Sequence, residues 1–113
     1  MHELTLSRTI LDIIKQHASA MNCRSVKKIY LEIGQLIGVD QESLKFSFNV
    51  IAKGSIAESA ELELIEIKGK AICDFCEEAV MLKNYYDGCA ICGRYSLRII
   101  QGEELRVKSM EVE

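Results

Sequence analysis

The sequence predicts an α+β fold, two helices packed on a small three-stranded sheet, with a four-cysteine zinc-ribbon subdomain inserted in the chain. Three observations carry this expectation. Apolar residues recur with a helical period in two stretches, they alternate with polar residues in three others, and four cysteines fall as two Cys-x2-Cys pairs between the second and third alternating stretch. Helices covering one face of a sheet make a compact layer. A chain of 113 residues, just under half of them apolar, has the size of one small domain with an appendage. The expected organisation is an α+β domain from 1–69 plus 101–113 and a ribbon from 70–100.

Helix one is read from Leu4, Ile10, Leu11, Ile14, Ala18 and Met21, with Arg8, Asp12, Lys15 and Ser19 on the other side. Glu3 falls in its first turn, where the helix dipole favours a negative charge. After Asn22 the period changes to two, with Ile29, Leu31 and Ile33 facing one way and Lys28, Tyr30 and Glu32 the other. Gly34 and Gly38 end that strand. Asp40 stands at an N-cap position, followed by Leu44, Phe48 and Ile51, so a second helix is expected from Gln41 to Ala52, stopped by Gly54.

The run Glu61 to Lys68 alternates, but its apolar set moves from Leu62 and Leu64 to Ile65 and Ile67, which calls for a bulge or a change of partner near Ile65. The same habit returns beyond Gly102, where Leu105 and Val107 are followed by Met110 and Val112. His17, on the flank of the first helix, reads as a core-edge or surface residue. Cys23 reads as a small thiol without a role.

Cys73-x2-Cys76, twelve residues, then Cys89-x2-Cys92 places four thiolates as two knuckles that can close on one tetrahedral ion. Such a site is coordinatively full, which points to structural Zn(II) holding a loop too small for a core of its own and leaves no open position for chemistry. An iron–sulfur cluster or a redox pair of thiols is the alternative use. Gly88 and Gly93 are expected to supply the positive backbone dihedrals of the knuckles, and Phe75, Tyr85 and Tyr86 to serve the ribbon's own core.

A net charge of −3 argues against a nucleic-acid partner. Within the ribbon, Lys70, Lys83, Arg94 and Arg98 are balanced by Asp74, Glu77, Glu78 and Asp87. No apolar run approaches the roughly 20 residues of a membrane span. Without an export signal at the start, the expected location is cytoplasmic, where five cysteines read as ligands or free thiols rather than disulfides. The chain also lacks a phosphate-binding loop of the GxxxxGK type, and no enzymatic activity is expected of it.

At the other end of the chain, Met1, His2 and Glu3 set an amine, an imidazole and a carboxylate in succession. The Met1 amine, the His2 amide nitrogen and the His2 imidazole can chelate one ion through fused rings, a nitrogen-rich donor set suited to Ni(II) or Cu(II). Glu3 and Asp40 add carboxylates if the loop before the second helix approaches the chain start. Met-His at a terminus is otherwise an ordinary frayed end.

The opening Met-His-Glu-Leu, the segment Ile33 to Leu44, the four-cysteine ribbon with Gly93 after its last ligand, and the closing Glu104 to Val112 together resemble the HypA/HybF family of nickel metallochaperones for NiFe-hydrogenase maturation. The resemblance implies transported Ni(II) at His2, with Glu3 and Asp40 contributing, and Zn(II) at Cys73, Cys76, Cys89 and Cys92. It also implies handover involving the nickel GTPase HypB, delivery to the hydrogenase large subunit, in some members a role with urease maturation proteins, and a monomer or homodimer. Two positions depart from the family pattern: Gln41 stands where proline is frequent, and the second knuckle reads Cys-Ala-Ile-Cys where Cys-Pro is common. Neither removes a ligand. The competing class is a zinc-ribbon nucleic-acid-binding or transcription module, which would be indifferent to His2.

Overall fold

The computed structural model describes residues 3–113. The chain gathers into two compact units, one drawn from Met1–Glu32, Val39–Ile65 and Leu105–Glu113, the other from Ile33–Gly38 and Glu66–Glu104. Nine elements follow in order: α1 (Glu3–Met21), β1 (Val26–Gly34), a 3-10 turn (Gln35–Ile37), α2 (Gln41–Ile51), β2 (Glu61–Ile67), β3 (Lys70–Cys73), β4 (Ala79–Met81), β5 (Leu97–Gln101) and β6 (Leu105–Val112). Two three-stranded sheets result, ordered β2-β1-β6 and β4-β3-β5. Among the described residues no helix is long and apolar enough to cross a membrane.

In the first unit, Ile10, Leu11, Ile14 and Ala18 of the expected α1 stripe are buried and Leu6 joins them, whereas Leu4 and Met21, at the two ends of the expected stripe, are exposed because they lie beyond the part of the helix that packs on the core. Leu44 and Phe48 of α2, Ile29 and Leu31 of β1 and Leu62 of β2 complete a core of large side chains. Helix α1 stops where Asn22 takes a left-handed backbone, a conformation asparagine tolerates. Helix α2 starts on Asp40, whose carboxylate accepts from the Ser43 amide at 3.1 Å, and Gly54 adopts φ +80° in the turns that follow it.

The two helices run in the same direction. The buried Ser7 hydroxyl donates to the Leu44 carbonyl at 3.5 Å, and further along Leu11 and Lys15 share a surface hollow with Ile51. Both helices therefore begin at one end of the pair.

The antiparallel pairing of β1 with β6 is bracketed by Gly34 N–H to Glu104 O and Glu113 N–H to Ser25 O. Tyr30 and Glu32, two apart, point to one face of β1. They bond Glu111 and Arg106, each at 2.7 Å, so these two residues, five apart on β6, also share a face. An alternating strand allows that only if it carries an extra residue between them, and Lys108 and Ser109 are consecutively exposed there. The end bonds are equally spaced on both strands, so β1 must carry a matching irregularity. Val26 and Ile29 are both buried, which puts it at Lys27 and Lys28. The phase shift read from Val107 to Met110 is thus a real feature of the strand. On β2, Leu64 and Ile65 are both half-buried, and Ile65 is also where the first unit gives way to the second.

The second unit is poor in apolar core. Leu36, Ala71 and Leu82 form one small cluster and Cys73, Val80 and Cys89 another, joined by Leu97 packing on both. Three glycines sit where its chain segments cross. A Cβ on Gly34 would run into the Gly102 carbonyl, and one on Gly69 into the Leu82 carbonyl, so no other residue fits without moving backbone.

Candidate metal centres

The four cysteines arrive on two knuckles of the same construction. In the first, the Glu77 amide donates to Cys73 O at 2.8 Å and the Cys73 amide to Glu78 O at 3.1 Å. In the second, the Gly93 amide donates to Cys89 O and the Cys89 amide to Arg94 O, both at 2.8 Å. The residue after the second cysteine of each pair is left-handed, Glu77 at φ +59° and Gly93 at φ +77°. Gly93 does what its sequence position implied. Gly88 does not: it is needed because the Gly93 carbonyl lies 2.9 Å from where its Cβ would be, and Glu77, which gave no sequence signal, takes the strained position of the first knuckle.

All four Sγ atoms lie within 4.8 Å of one another, with Cys73 to Cys92 at 3.7 Å and Cys76 to Cys89 at 3.9 Å. A tetrahedral ion with metal–sulfur bonds of about 2.3 Å requires sulfur–sulfur edges of about 3.8 Å, so the cluster is already of the size that holds one. No disulfide joins these residues. Backbone N–H groups of Cys92 and Ile91 aim at the Cys89 sulfur and lower its pKa to about 7. Hydrogen bonding to Cys92, with burial, pushes Cys76 up to about 12. A set of sulfurs this close can carry its full negative charge only around a cation.

The ribbon aromatics are placed differently from the sequence expectation. Phe75, Tyr85 and Tyr86 are exposed, Tyr86 at 78%, and Tyr95 with them. Tyr85 donates to Glu103 at 2.7 Å, and the Arg94 guanidinium lies 4.3 Å over the Phe75 ring. They are not a core. The four-sulfur cluster occupies the centre that aromatic packing was expected to fill.

Of the N-terminal constellation, Met1 and His2 lie outside the described residues. Glu3 is half-buried in the first turn of α1, and Asp40 is exposed as the cap of α2. Because Ser7 bonds Leu44, each one turn further along its helix, Glu3 and Asp40 belong to the same end of the helix pair. His17 is exposed on α1, and Cys23 is half-buried with its thiol 3.7 Å from Ala18 O. Among the described residues, the four cysteines are the cluster able to hold a metal ion.

A four-sulfur site on a small β-sheet, in a chain that also folds an α+β unit, defines a small metal-binding protein. The family model described as hydrogenase/urease nickel incorporation, metallochaperone, HypA matches residues 1–112. The chain belongs to this HypA family of nickel metallochaperones. It is 57% identical to the hydrogenase maturation factor HypA of Legionella pneumophila strain Lens and 43% identical to that of Azotobacter chroococcum mcd 1, in each case over the full length of both chains. Its fold is similar to the solution structure of the Ni metallochaperone HypA from Helicobacter pylori, with a TM-score of 0.74 at 22% identity over 99% of this chain and 97% of the other.

Proposed function

We propose that the chain is a nickel carrier that binds Ni(II) through Met1, His2, Glu3 and Asp40, keeps Zn(II) as a permanent structural ion in its four-cysteine site, and passes nickel on for hydrogenase maturation. The observation that carries the reading is the family match running from residue 1 to 112, which takes in the N-terminal donors as well as the ribbon. The common origin of the two helices supports it, since it puts Glu3 and Asp40 at the same end of the helix pair.

The electrostatics of that end suit a carrier. Helix N-termini favour anions and repel a cation, so the ends of α1 and α2 oppose a metal held by the two carboxylates. The net attraction is tempered, and the ion can be surrendered to a stronger acceptor. The four-thiolate site is closed and suits zinc, which has no redox chemistry and accepts a tetrahedron of sulfurs. The acceptors the family resemblance implies are the nickel GTPase HypB and the hydrogenase large subunit, with urease maturation proteins as a second route. The chain performs no catalysis in this reading.

The test is nickel titration by calorimetry of the untagged chain, beside His2→Ala, Asp40→Asn and a form extended by one residue before Met1. Asparagine keeps the helix cap but removes the carboxylate charge. Expected are one nickel per chain, loss of that site in His2→Ala and weakening in Asp40→Asn. Loss in the extended form assigns the terminal amine as a ligand. Nickel binding unchanged by His2→Ala would overturn the proposal.

A further inference from the structure

The sheet and the helices of the first unit meet solvent in different ways. On the sheet, Lys27, Lys28 and Arg106 are each in an ion pair, with Glu113, Glu61 and Glu32. The helices are not closed off like this. Leu4, Met21, Phe46 and Val50, the large apolar side chains that the first unit exposes among the described residues, all belong to α1 or α2. Arg8, Asp12 and Lys15 of α1 are in no ion pair among the described residues. Uncovered apolar surface and unpaired charge thus coincide on the helical side.

Between α1 and α2 lies a hollow of about 410 Å³, lined by Arg8, Leu11, Asp12, Lys15 and Ile51. Its apolar lining is Leu11, which is buried, and Ile51, which is half-buried. Arg8 and Lys15 are seven residues apart, so they stand on one stripe of α1 about 10.5 Å apart along its axis. Asp12 is the carboxylate between them, which leaves two cations against one anion at the hollow of a chain whose net charge is −3. On the other wall, Val50 adjoins Ile51 in the chain and Phe46 stands one turn before Val50, 48% and 71% exposed. Helix α2 buries Leu44 and Phe48 on its inner side, and Phe46, two residues from each, is about 200° around the helix from them, where the core cannot use it.

We propose that this α1–α2 face docks an acidic amphipathic helix of a partner protein. Apolar side chains of the partner enter the hollow against Leu11 and Ile51 and cover Val50 and Phe46, and its carboxylates, two turns apart, meet Arg8 and Lys15. Apolar anchors in a groove supply affinity in this mode of recognition, and opposite charges on the rim fix register and exclude other partners. An anionic membrane fits less well, because a hollow recessed between two helices receives side chains rather than a flat surface, and anionic lipid repels a chain of net negative charge. The purpose of the contact rests on the carrier reading: Arg8 lies five residues after Glu3, about 7.5 Å along α1. A partner helix seated here is the acceptor's, held beside the end of the helix pair that carries the nickel donors.

The test uses the full chain with its four-cysteine site filled, and two synthetic peptides of about fourteen residues, roughly 21 Å of helix, cross-linked to hold the helical form. Both carry the same leucine stripe, flanked in one by glutamates and in the other by lysines. Binding is read by fluorescence anisotropy and its place by amide chemical shifts. The acidic peptide should bind, shifting amides around Arg8, Leu11, Lys15, Phe46 and Ile51. The double variant Arg8→Glu with Lys15→Glu, and separately Phe46→Ser, should each weaken it at least about tenfold, or about 1.4 kcal/mol. The basic peptide should prefer the double variant to the unaltered chain, a reversal that misfolding cannot produce. Failure of the acidic peptide to bind, equal binding of both peptides, or shifts confined to another surface would each overturn the proposal. So would phosphatidylserine vesicles that sediment the unaltered chain and not the double variant, which would give the face to a membrane. All of these forms should keep their nickel in calorimetry, so a failed docking test leaves the carrier reading standing, and nickel binding indifferent to His2→Ala sinks that reading without altering the peptide result.

Discussion

The two units of the chain are held together by different means. The first buries Phe48, Leu6, Ile10, Ile14, Ile29, Leu31 and Leu44 completely, a continuous apolar core supplied by both helices and the sheet. The second buries a handful of small and medium side chains and leaves Phe75, Tyr85, Tyr86 and Tyr95 in solvent. Burying a large apolar side chain contributes roughly 1.5–3 kcal/mol, so the first unit closes its balance against chain entropy by burial. The second cannot. What stands at its centre instead is the four-sulfur cluster, of a size able to hold a metal ion and so to tie two distant stretches of chain together. One polypeptide thus relies on hydrophobic burial in one unit and gathers four metal-ligating side chains in the other.

That contrast is broken most severely by removing the metal. Cys73→Ser, or a strong chelator, should unfold the second unit, because structural zinc sites contribute on the order of 10–16 kcal/mol of apparent binding energy. Amide exchange should show β3, β4 and β5 losing protection while α1 and α2 keep theirs. The reciprocal change is Phe48→Ala, which empties the middle of the first core and should cost about 3–5 kcal/mol in denaturant unfolding followed by helical circular dichroism. Metal content should not change.

Gly102→Ala should have a smaller effect, about 1–3 kcal/mol as an overpacked site, read as a lower melting temperature. It adds a Cβ 2.6 Å from the Gly69 Cα on a backbone at φ +114°. The smallest change sharpens the comparison between the two knuckles. Glu77→Gly relieves a side chain from a left-handed backbone and should leave stability unchanged or raise it by up to about 1 kcal/mol, whereas Gly93→Ala should lower it by a similar amount. A chelator competition measuring zinc retention reads both.

The sequence was most legible where the apolar pattern is long. Helix α1 and strands β1, β2 and β6 were read from periodicity, and Asp40 from its position before an apolar run, because burial of one face imposes those patterns. The phase shifts in β2 and β6 were visible for the same reason. The three strands of the second unit went unread, since β3, β4 and β5 are three to five residues long and too short to establish a period. Its aromatics were misread as core because the argument from size requires a small fold to bury them, and here the four-sulfur cluster occupies the centre instead. Glu77 was illegible because a left-handed backbone announces itself through glycine, and here the surrounding hydrogen bonds impose it on another residue. The cysteine spacing, by contrast, declared the four-sulfur cluster directly.

The most direct test of two independent metal centres is the nickel and zinc content, by inductively coupled plasma mass spectrometry, of the chain loaded with both ions, beside its His2→Ala and Cys73→Ser forms. The account requires the first variant to lose nickel and keep zinc, and the second to lose zinc and keep nickel. Nickel retained in His2→Ala and lost in Cys73→Ser would contradict it, and would place the transported ion in the cysteine cluster.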